Sequence, residues 1–422
     1  MDLVNRNALL VGEIAPSIAV GRTLVNFALP LCLWAVALLL AGRAVLPDWL
    51  SGFAIHGPYL ILASGLLLSL AFRRGRAFFV LLTFTGAYFA FVFFVQHTGT
   101  QPVPQTVYGA LSVLVPFNIA VFALLRERGA LNAPGLRRLS LLVVEAGAIA
   151  AIVLSDTTEF ADVLFGSLVG NAAFSALRDP HLGMACAVAA VTVAVVCAVR
   201  RGTGLDAAFA TAAALFALAC NGPPSPGTFA WLCTMAGLIV LVAVVQDSYR
   251  MAFYDELTGL PGRRALSQRL ASLDGGFTLA MVDIDHFKAF NDTWGHDIGD
   301  QVLRLVAARL RRVGGGGTTY RYGGEEFIIV FAGRRAISVM HHLESLRKGI
   351  ENYKLTIRDS ERPRRTGPGS DKPDAANQWI AVTVSLGVAE RTDRAQAAEA
   401  VIEAADKALY RAKAEGRNRV SR

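Results

Sequence analysis

The first 250 residues of this 422-residue chain contain no lysine at all, only 14 arginines, and just 11 acidic residues. Charge is scarce over more than half the sequence, while the remaining 172 residues hold 27 Lys+Arg and 22 Asp+Glu. Cysteine is equally lopsided. All five (Cys32, Cys186, Cys197, Cys220, Cys233) fall in apolar stretches, none in the charged part, and none at metal-ligand spacing. These absences exclude a disulfide-stapled secreted module and a cysteine-held metal site. A hydrophobic share of 54% and a mean hydropathy of +0.44 exclude disorder and are too apolar for a soluble chain. At this length at least two domains are expected.

What the first part does have is long apolar runs. Crossing a bilayer core takes about 20 mostly apolar residues. Eight stretches reach or approach that length: Leu24–Ala44, Phe53–Phe72, Ala77–Gln96, Thr106–Leu125, Leu139–Ser155, Met184–Val199, Leu205–Cys220 and Thr228–Gln246. Any one of them could be a buried core helix of a soluble domain, but eight in succession with short connections point to a membrane domain over 1–246. Residues 1–23 lack the basic-then-apolar order of a cleaved signal peptide, so no removal is expected. Arginine alternates between connections. It is dense at Arg73, Arg74 and Arg76, at Arg126, Arg128, Arg137 and Arg138, and at Arg200 and Arg201, and nearly absent from the connections between. By the positive-inside rule both termini are expected to face the cytoplasm, the chain being multi-pass. Phe160–Leu177 is apolar enough to dip into the interface, and as a ninth span it would break the arginine pattern. Glu145 within the fifth span and His56 near the outer end of the second are candidates for sensing, because ionisable groups in a bilayer are costly. The plainer reading is pairing with a neighbouring helix or placement near headgroups. After the last span, residues 247–254 carry no Gly or Pro and read as a stiff helical linker.

From 255 to 422 the pattern changes to short strands and amphipathic helices. Phe277–Asp283 reads as a buried strand, Ile298–Leu310 as a helix, and Tyr320–Tyr322 and Glu325–Phe331 as strands joined by Gly323-Gly324. A two-residue hairpin is expected there, with positive φ at both glycines. Ser338–Tyr353 reads as a helix, Trp379–Ala389 as a strand, and Glu399–Ala414 as a helix stopped at Gly416. The order βαββαβ predicts a ferredoxin-like α+β sandwich. Two acidic clusters, Asp283-Ile284-Asp285 and Glu325-Glu326, fall at strand ends that such a sheet makes neighbours. Carboxylates held together suit a hard cation with phosphate oxygens; a solvated acidic turn is the bland alternative. No Ser-His-Asp set, Cys-His set or CxxC is present.

Four ordered motifs carry a resemblance: DELTGLP (Asp255–Pro261), DIDHFKAFNDTWGHDIGD (Asp283–Asp300), RYGGEEF (Arg321–Phe327) and AKAEGRN (Ala412–Asn418). Together they resemble the GGDEF family of diguanylate cyclases, over about residues 250–422. The resemblance implies a nucleotidyl-cyclase-like catalytic domain that joins two GTP into cyclic di-GMP with loss of two pyrophosphates. It implies that Asp283, Glu325 and the main-chain carbonyl of Ile284 hold Mg²⁺, with Mn²⁺ able to replace it. Glu325 would also help deprotonate the attacking 3′-hydroxyl, supported by Glu326. Asn291 and Asp300 would bond the guanine, with His296 lining the site. Main chain at His286 and Phe287 would cradle phosphate, while Lys288, Lys413 and Arg417 neutralise the triphosphate. Asn and Asp together suit a guanine edge and penalise adenine.

Three departures accompany the resemblance, the smallest being Gly262 in the entry motif, where the family usually has Asn and a turn tolerates the change. Many family members carry Arg-x-x-Asp, a product-binding inhibitory site, nine to six positions before the signature; here Gly314 and Gly317 stand there, so inhibition through that site is not expected. Thr356–Gln378 is long and rich in charge, Pro and Gly, and reads as a hairpin tip that is either disordered or a basic patch (Arg362, Arg364, Arg365) meeting headgroups or a partner. Each such domain binds one GTP, so a homodimer is implied. The readings left open are a membrane-bound cyclase, a catalytically silent receptor for GTP or cyclic di-GMP, and, weakest, a transporter with a regulatory tail. Nucleic-acid binding is not expected, because the basic charge is moderate and not interleaved with aromatics.

Overall fold

The computed structural model describes residues 24–41, 48–96, 103–155, 181–221, 226–353, 355–357, 378–393 and 396–422. Phe160–Leu177, residues 1–23 and nearly all of the Thr356–Gln378 insertion lie outside them. The chain divides into two compact units, Met1–Ser248 and Tyr249–Arg422.

In the first unit every apolar stretch with described residues is a helix: α1 (Leu24–Ala41), α2 (Asp48–Ala71), α3 (Gly75–Ala90), α4 (Val103–Leu124), α5 (Ala133–Ser155), α6 (His181–Arg201), α7 (Gly204–Asn221) and α8 (Pro226–Phe253). Among the described residues, five segments are long and apolar enough to cross a membrane: Leu24–Ala41, Gly75–Phe94, Val107–Leu124, Leu182–Arg201 and Gly227–Phe253. Two more, His56–Ala71 and Gly204–Cys220, are apolar but shorter. The fifth stretch is diluted by Arg137, Arg138 and Glu145 in its helix. The core is aromatic, with Phe79, Phe84, Phe91, Phe122, Phe209, Phe216 and Phe229 fully buried. Phe91 opens a π-helical turn, Phe91–Gln96, that continues α3 and stacks its ring on Phe229 at 3.9 Å. Alanines on α7 (Ala207, Ala208, Ala212, Ala213) have no exposed surface, as close helix approach requires.

Several polar groups in this unit are paired across helices. Arg76 is buried against Asp206 and donates to the carbonyls of Phe122 (2.9 Å) and Ala123 (3.0 Å) at the end of α4. Arg201 donates to Ala123 (2.6 Å) and Leu124 (2.9 Å). Both satisfy carbonyls that a helix C-terminus leaves open. Glu145 accepts a 2.6 Å bond from Asn118 Nδ2 across α4 and α5, the plainer of its two readings. His56 is exposed.

The second unit follows the end of α8 with α9 (Arg263–Ala271), β1 (Phe277–Ile284), α10 (Phe287–Trp294), α11 (His296–Leu310), β2 (Thr318–Arg321), β3 (Glu326–Ala332), α12 (Ala336–Glu351), β4 (Leu355–Ile357), β5 (Gln378–Ile380), β6 (Val384–Arg391), α13 (Ala398–Ala414) and β7 (Val420–Ser421). The main sheet runs β2-β3-β1-β6-β7, antiparallel except for the final β6–β7 pair. With β7 set aside, this is the ferredoxin-like order, and βαββαβ is the order along the chain.

Alternation along β1 builds two cores. Ala280, Val282 and Ile284 face Val302, Val306 and Leu310 of α11 and Val339 and Leu343 of α12. Phe277, Leu279 and Met281 face Leu266 and Leu270 of α9 and Val401, Ala405 and Leu409 of α13. A strand covered on both faces reads as an unbroken apolar run, which is what Phe277–Val282 shows. Two sequence expectations fail. The single strand over Trp379–Ala389 divides into β5, paired with β4 in a separate two-stranded ribbon, and β6 in the main sheet. The link between β2 and β3 is also longer than two residues. Tyr322–Glu325 form it, closed by N–H groups of Tyr322 (2.9 Å) and Gly323 (3.2 Å) on the Glu326 carbonyl, and neither glycine has positive φ.

Gly387 on β6 lies directly under α13. A Cβ there would sit 2.1 Å from the Leu409 nitrogen and 2.2 Å from the Ala405 oxygen, both backbone atoms that cannot turn aside. Gly387→Val should therefore lower stability by about 3 kcal/mol or more, the upper range for overpacking. Thermal unfolding of the variant beside the parent checks this, and an unchanged midpoint would refute the packing described.

Candidate active site

Position in β1 decides which side chains reach the site. Asp283 continues the odd-numbered series that faces α13, opposite Glu326 on β3 and Ser385 on β6. It is buried, and its Oδ1 lies 2.8 Å from Lys413 Nζ on α13. Burial pushes the Asp283 carboxyl above the usual carboxylate range, outweighing the pull of Lys413, and the neighbouring Asp285 charge adds to the rise. Glu325, the last residue of the β2–β3 link, also has a raised carboxyl, first from burial and then from the charge of Asp283. Glu326 opens β3 and folds its carboxylate back toward Gly323, where a Cβ would meet Oε2 at 2.6 Å. A side chain at 323 would displace that carboxylate, and the position has no positive φ.

The acidic run of β1 splits in two. Asp283 faces Lys413 and Glu325, whereas Asp285 is consumed structurally. It accepts bonds from Thr383 Oγ1 (2.7 Å), Ser385 Oγ (2.7 Å) and the Asn418 N–H (3.1 Å). That last bond holds the turn after α13, in which Gly416, Arg417 and Asn418 all have positive φ. Asn418 is fixed from its other side by Arg347 Nη1 (2.6 Å) and by its own bond to Glu351 (2.7 Å). Lys413 and Arg417 are thus carried by a segment tied at two points.

A second latch secures the signature turn. Arg321 donates to the carbonyls of Gly323 (3.1 Å) and Gly324 (2.6 Å) and to Asp255 Oδ1 (2.7 Å). Burial alone would raise the Asp255 carboxyl, but hydrogen bonds from Thr258 and Arg321 bring it below its ordinary value. Asp255, Arg321 and Asn418 carry no role readable from sequence, and Asp285 reads there only as part of an acidic cluster suited to a cation. The alternation of β1, followed one residue pair further, was the available signal for Asp285; the two latches join segments 66 and 133 residues apart and leave no local trace.

Beyond β1 the chain turns through His286, which has φ +57 and makes no side-chain cap for α10. The first N–H groups of α10, at Phe287 and the exposed Lys288, are therefore free of any side-chain cap, the usual setting for an anion at a helix start. Phe287 is buried and anchors that helix end. Asn291 lies one turn on, with its Oδ1 buried and unpartnered among the described residues, and a Cβ on Gly299 would fall 1.8 Å from it. Asp300 follows Gly299 on α11 and is half-buried, while His296 at the start of α11 is exposed. Asn291 Oδ1 is thus an acceptor with no partner among the described residues.

Divalent-cation chemistry fits Asp283 and Glu325: two buried-side carboxylates destabilise one another, and the positive charges of Lys413 and Arg417 offset this only in part at Asp283. Among the described residues no three His, Cys, Asp or Glu side chains converge on a metal-sized point, and the expected set needs only two, with the Ile284 carbonyl. Gly314 and Gly317 are both confined, since a Cβ would lie 2.6 Å from His342 Nδ1 and from the Phe331 ring respectively.

Comparison with known proteins finds a match over the second unit. The model described as "Diguanylate cyclase, GGDEF domain" matches residues 252–368 and 370–419. The chain is 40% identical over 173 residues to diguanylate cyclase VdcA of Vibrio cholerae, covering 40% of this chain and 46% of that protein. It is 34% identical over 184 residues to the response regulator PleD of Caulobacter vibrioides, covering 42% of this chain and 37% of that protein. Among solved structures, the coiled coil and GGDEF domain of DgcB from Caulobacter crescentus in complex with c-di-GMP is 36% identical, with a TM-score of 0.36, covering 42% of this chain and 88% of that one. The chain spans less than half the length of these two full-length relatives.

The raised Glu325 carboxyl gives a signed expectation. A group whose folded pKa lies above its unfolded value weakens the fold while charged in both states, and the penalty vanishes as pH falls below the carboxylate range. Without metal, Glu325→Gln should raise the thermal midpoint at neutral pH. The gain should disappear on acidification, and a lower midpoint for the variant would refute the assignment.

Proposed function

We propose, from the premise that residues 252–419 are a GGDEF domain, that this chain is a membrane-anchored diguanylate cyclase working as a homodimer. The observation that supports it most is the meeting of Asp283, Glu325 and Lys413 beside the glycine turn of the signature, with the basic segment fixed by Asp285.

In this reading each of two facing domains holds one GTP. The 3′-oxygen of each nucleotide bonds to the α-phosphorus of the other, the bond from that phosphorus to the β-phosphate bridge breaks, and pyrophosphate leaves. Glu325 accepts the 3′-hydroxyl proton, a role for which a raised carboxyl is suited. Glu326 braces the turn from beneath Gly323. Asn291 and Asp300 take the guanine edge, with His296 beside it, and the unpartnered Asn291 Oδ1 supports a donor-bearing base there. Main chain at His286 and Phe287, with Lys288, Lys413 and Arg417, offsets the triphosphate charge, which phosphoryl transfer needs more than it needs a covalent nucleophile. Asp283, Glu325 and the Ile284 carbonyl would hold Mg²⁺ or Mn²⁺, which when bound polarises the phosphate and neutralises its charge.

The helical unit (1–246) is the membrane anchor, with both chain ends in the cytoplasm of a bacterial cell and residues 247–254 as a helical linker. Five spanning-length apolar helices and the unbroken run of α8 to Phe253 support this. Control is exerted on how often two cyclase domains meet. A silent receptor built on the same fold is the second reading, and the presence of Asp283, Glu325 and Asn291 together favours the enzyme.

Incubating the full chain in lipid nanodiscs with GTP and Mg²⁺ should yield cyclic di-GMP and pyrophosphate, resolved by chromatography. Glu325→Gln should cut the rate at least about 100-fold, and Asn291→Ala should raise KM for GTP about tenfold while leaving the fold intact. Product formation unchanged in Glu325→Gln would overturn the site; no product from the parent would favour the receptor.

A further inference from the structure

One end of the helical unit holds a cavity of about 280 Å³ that the catalytic reading does not use. Four arginines from three separate segments line it, Arg74, Arg76, Arg126 and Arg201, together with the acids Glu127 and Asp247. Beneath them lies Asp206, in contact with Arg76 and Arg201, so the lining keeps one positive charge in excess.

The four guanidinium groups are not equally engaged. Arg76 and Arg201 spend donors on the carbonyls that end α4. Arg74 holds Asp247 of α8 through Nη2 at 2.6 Å, yet its buried Nε has no hydrogen-bond partner among the described residues. Arg126 is exposed, and only its main-chain carbonyl is engaged, by Arg138 Nη2 at 2.8 Å, among the described residues. Glu127 is turned to main chain, accepting from the N–H groups of Arg76 (3.3 Å) and Gly129 (3.4 Å). A buried guanidinium donor without a partner is costly, and guanidinium forks match the oxygens of a phosphate. With net positive charge, a partly enclosed wall and idle donors on two arginines, the cavity lacks only an anion.

We infer that this cavity binds a phosphate group, with Arg74 and Arg126 as its donors and Asp247 as the internal anion that competes for Arg74. Two sources offer that chemistry: the headgroup of an anionic lipid, and a free phosphate compound. The lipid source rests on the membrane reading above; the phosphate site itself rests on neither that reading nor the cyclase activity.

Two probes separate the sources, each titrated into the full chain purified in a phosphate-free detergent without nucleotide. Short-chain phosphatidylglycerol is followed by native mass spectrometry, and inorganic phosphate by equilibrium dialysis. One saturable site per chain is expected, weakened about tenfold in Arg126→Gln, as loss of one charge-assisted hydrogen bond implies. Asp247→Asn should tighten the same site, because Arg74 loses its internal competitor. Arg126 is exposed, so its replacement leaves the packing intact, and a gain in Asp247→Asn has the opposite sign to any general loss of structure. Phosphate held at the nucleotide site of the other unit is indifferent to both substitutions. Binding of the lipid alone assigns the site to a headgroup, and binding of inorganic phosphate assigns it to a free phosphate compound. No saturable binding of either probe, or binding that neither substitution moves, overturns the inference.

Discussion

The second unit is organised around a repulsion. Asp283, opposite Glu326 in the sheet, and Glu325, at the end of the adjoining link, are held near each other and partly out of water, and both carboxyls are pushed up by burial. Lys413 relieves only part of this, through one ion pair with Asp283. A fold does not hold like charges in a desolvated corner for its own stability, since a neutral pair would cost less there. The strain is compatible with a site completed by a cation and a polyanion.

Everything nearby serves to keep that corner rigid. Asp285 holds the turn behind Lys413 and Arg417, Arg347 and Glu351 hold Asn418 from the opposite side, and Arg321 braces the signature turn against Asp255. Positive φ at Arg417 and Asn418 is backbone strain that the Asp285 and Ser385 contacts sustain. The same economy governs the helical unit, where arginines at helix ends satisfy carbonyls that would otherwise be stranded. Arg74 and Arg126 stand apart from that pattern, which is why their cavity reads as a place for something else.

Much of this was legible in the residues. The apolar stretches became helices because length and hydropathy act locally. Phe277–Ile284 became a central strand because a run that is apolar on both faces has few other uses. The meeting of Asp283 with the Glu325-Glu326 pair followed from strand order. What was not legible depended on geometry that sequence spacing does not encode. Gly323 and Gly324 looked like a two-residue turn, yet Glu326 folds its carboxylate into the space a side chain at 323 would fill, and the link takes four residues. Trp379–Ala389 looked continuous, yet its first part pairs with β4 instead of with β1. Asp285 looked like half of an acidic site, and its true partners sit near residues 385 and 418, far along the chain.

The account turns on whether the carboxylates of Asp283 and Glu325 act as a single cation-holding pair. Electron paramagnetic resonance of Mn²⁺, titrated into the full chain with a non-hydrolysable GTP analogue, measures this directly. Bound Mn²⁺ that requires the nucleotide, and that is lost in both Asp283→Asn and Glu325→Gln, is the predicted result. Mn²⁺ bound equally well by the parent and both variants would contradict it.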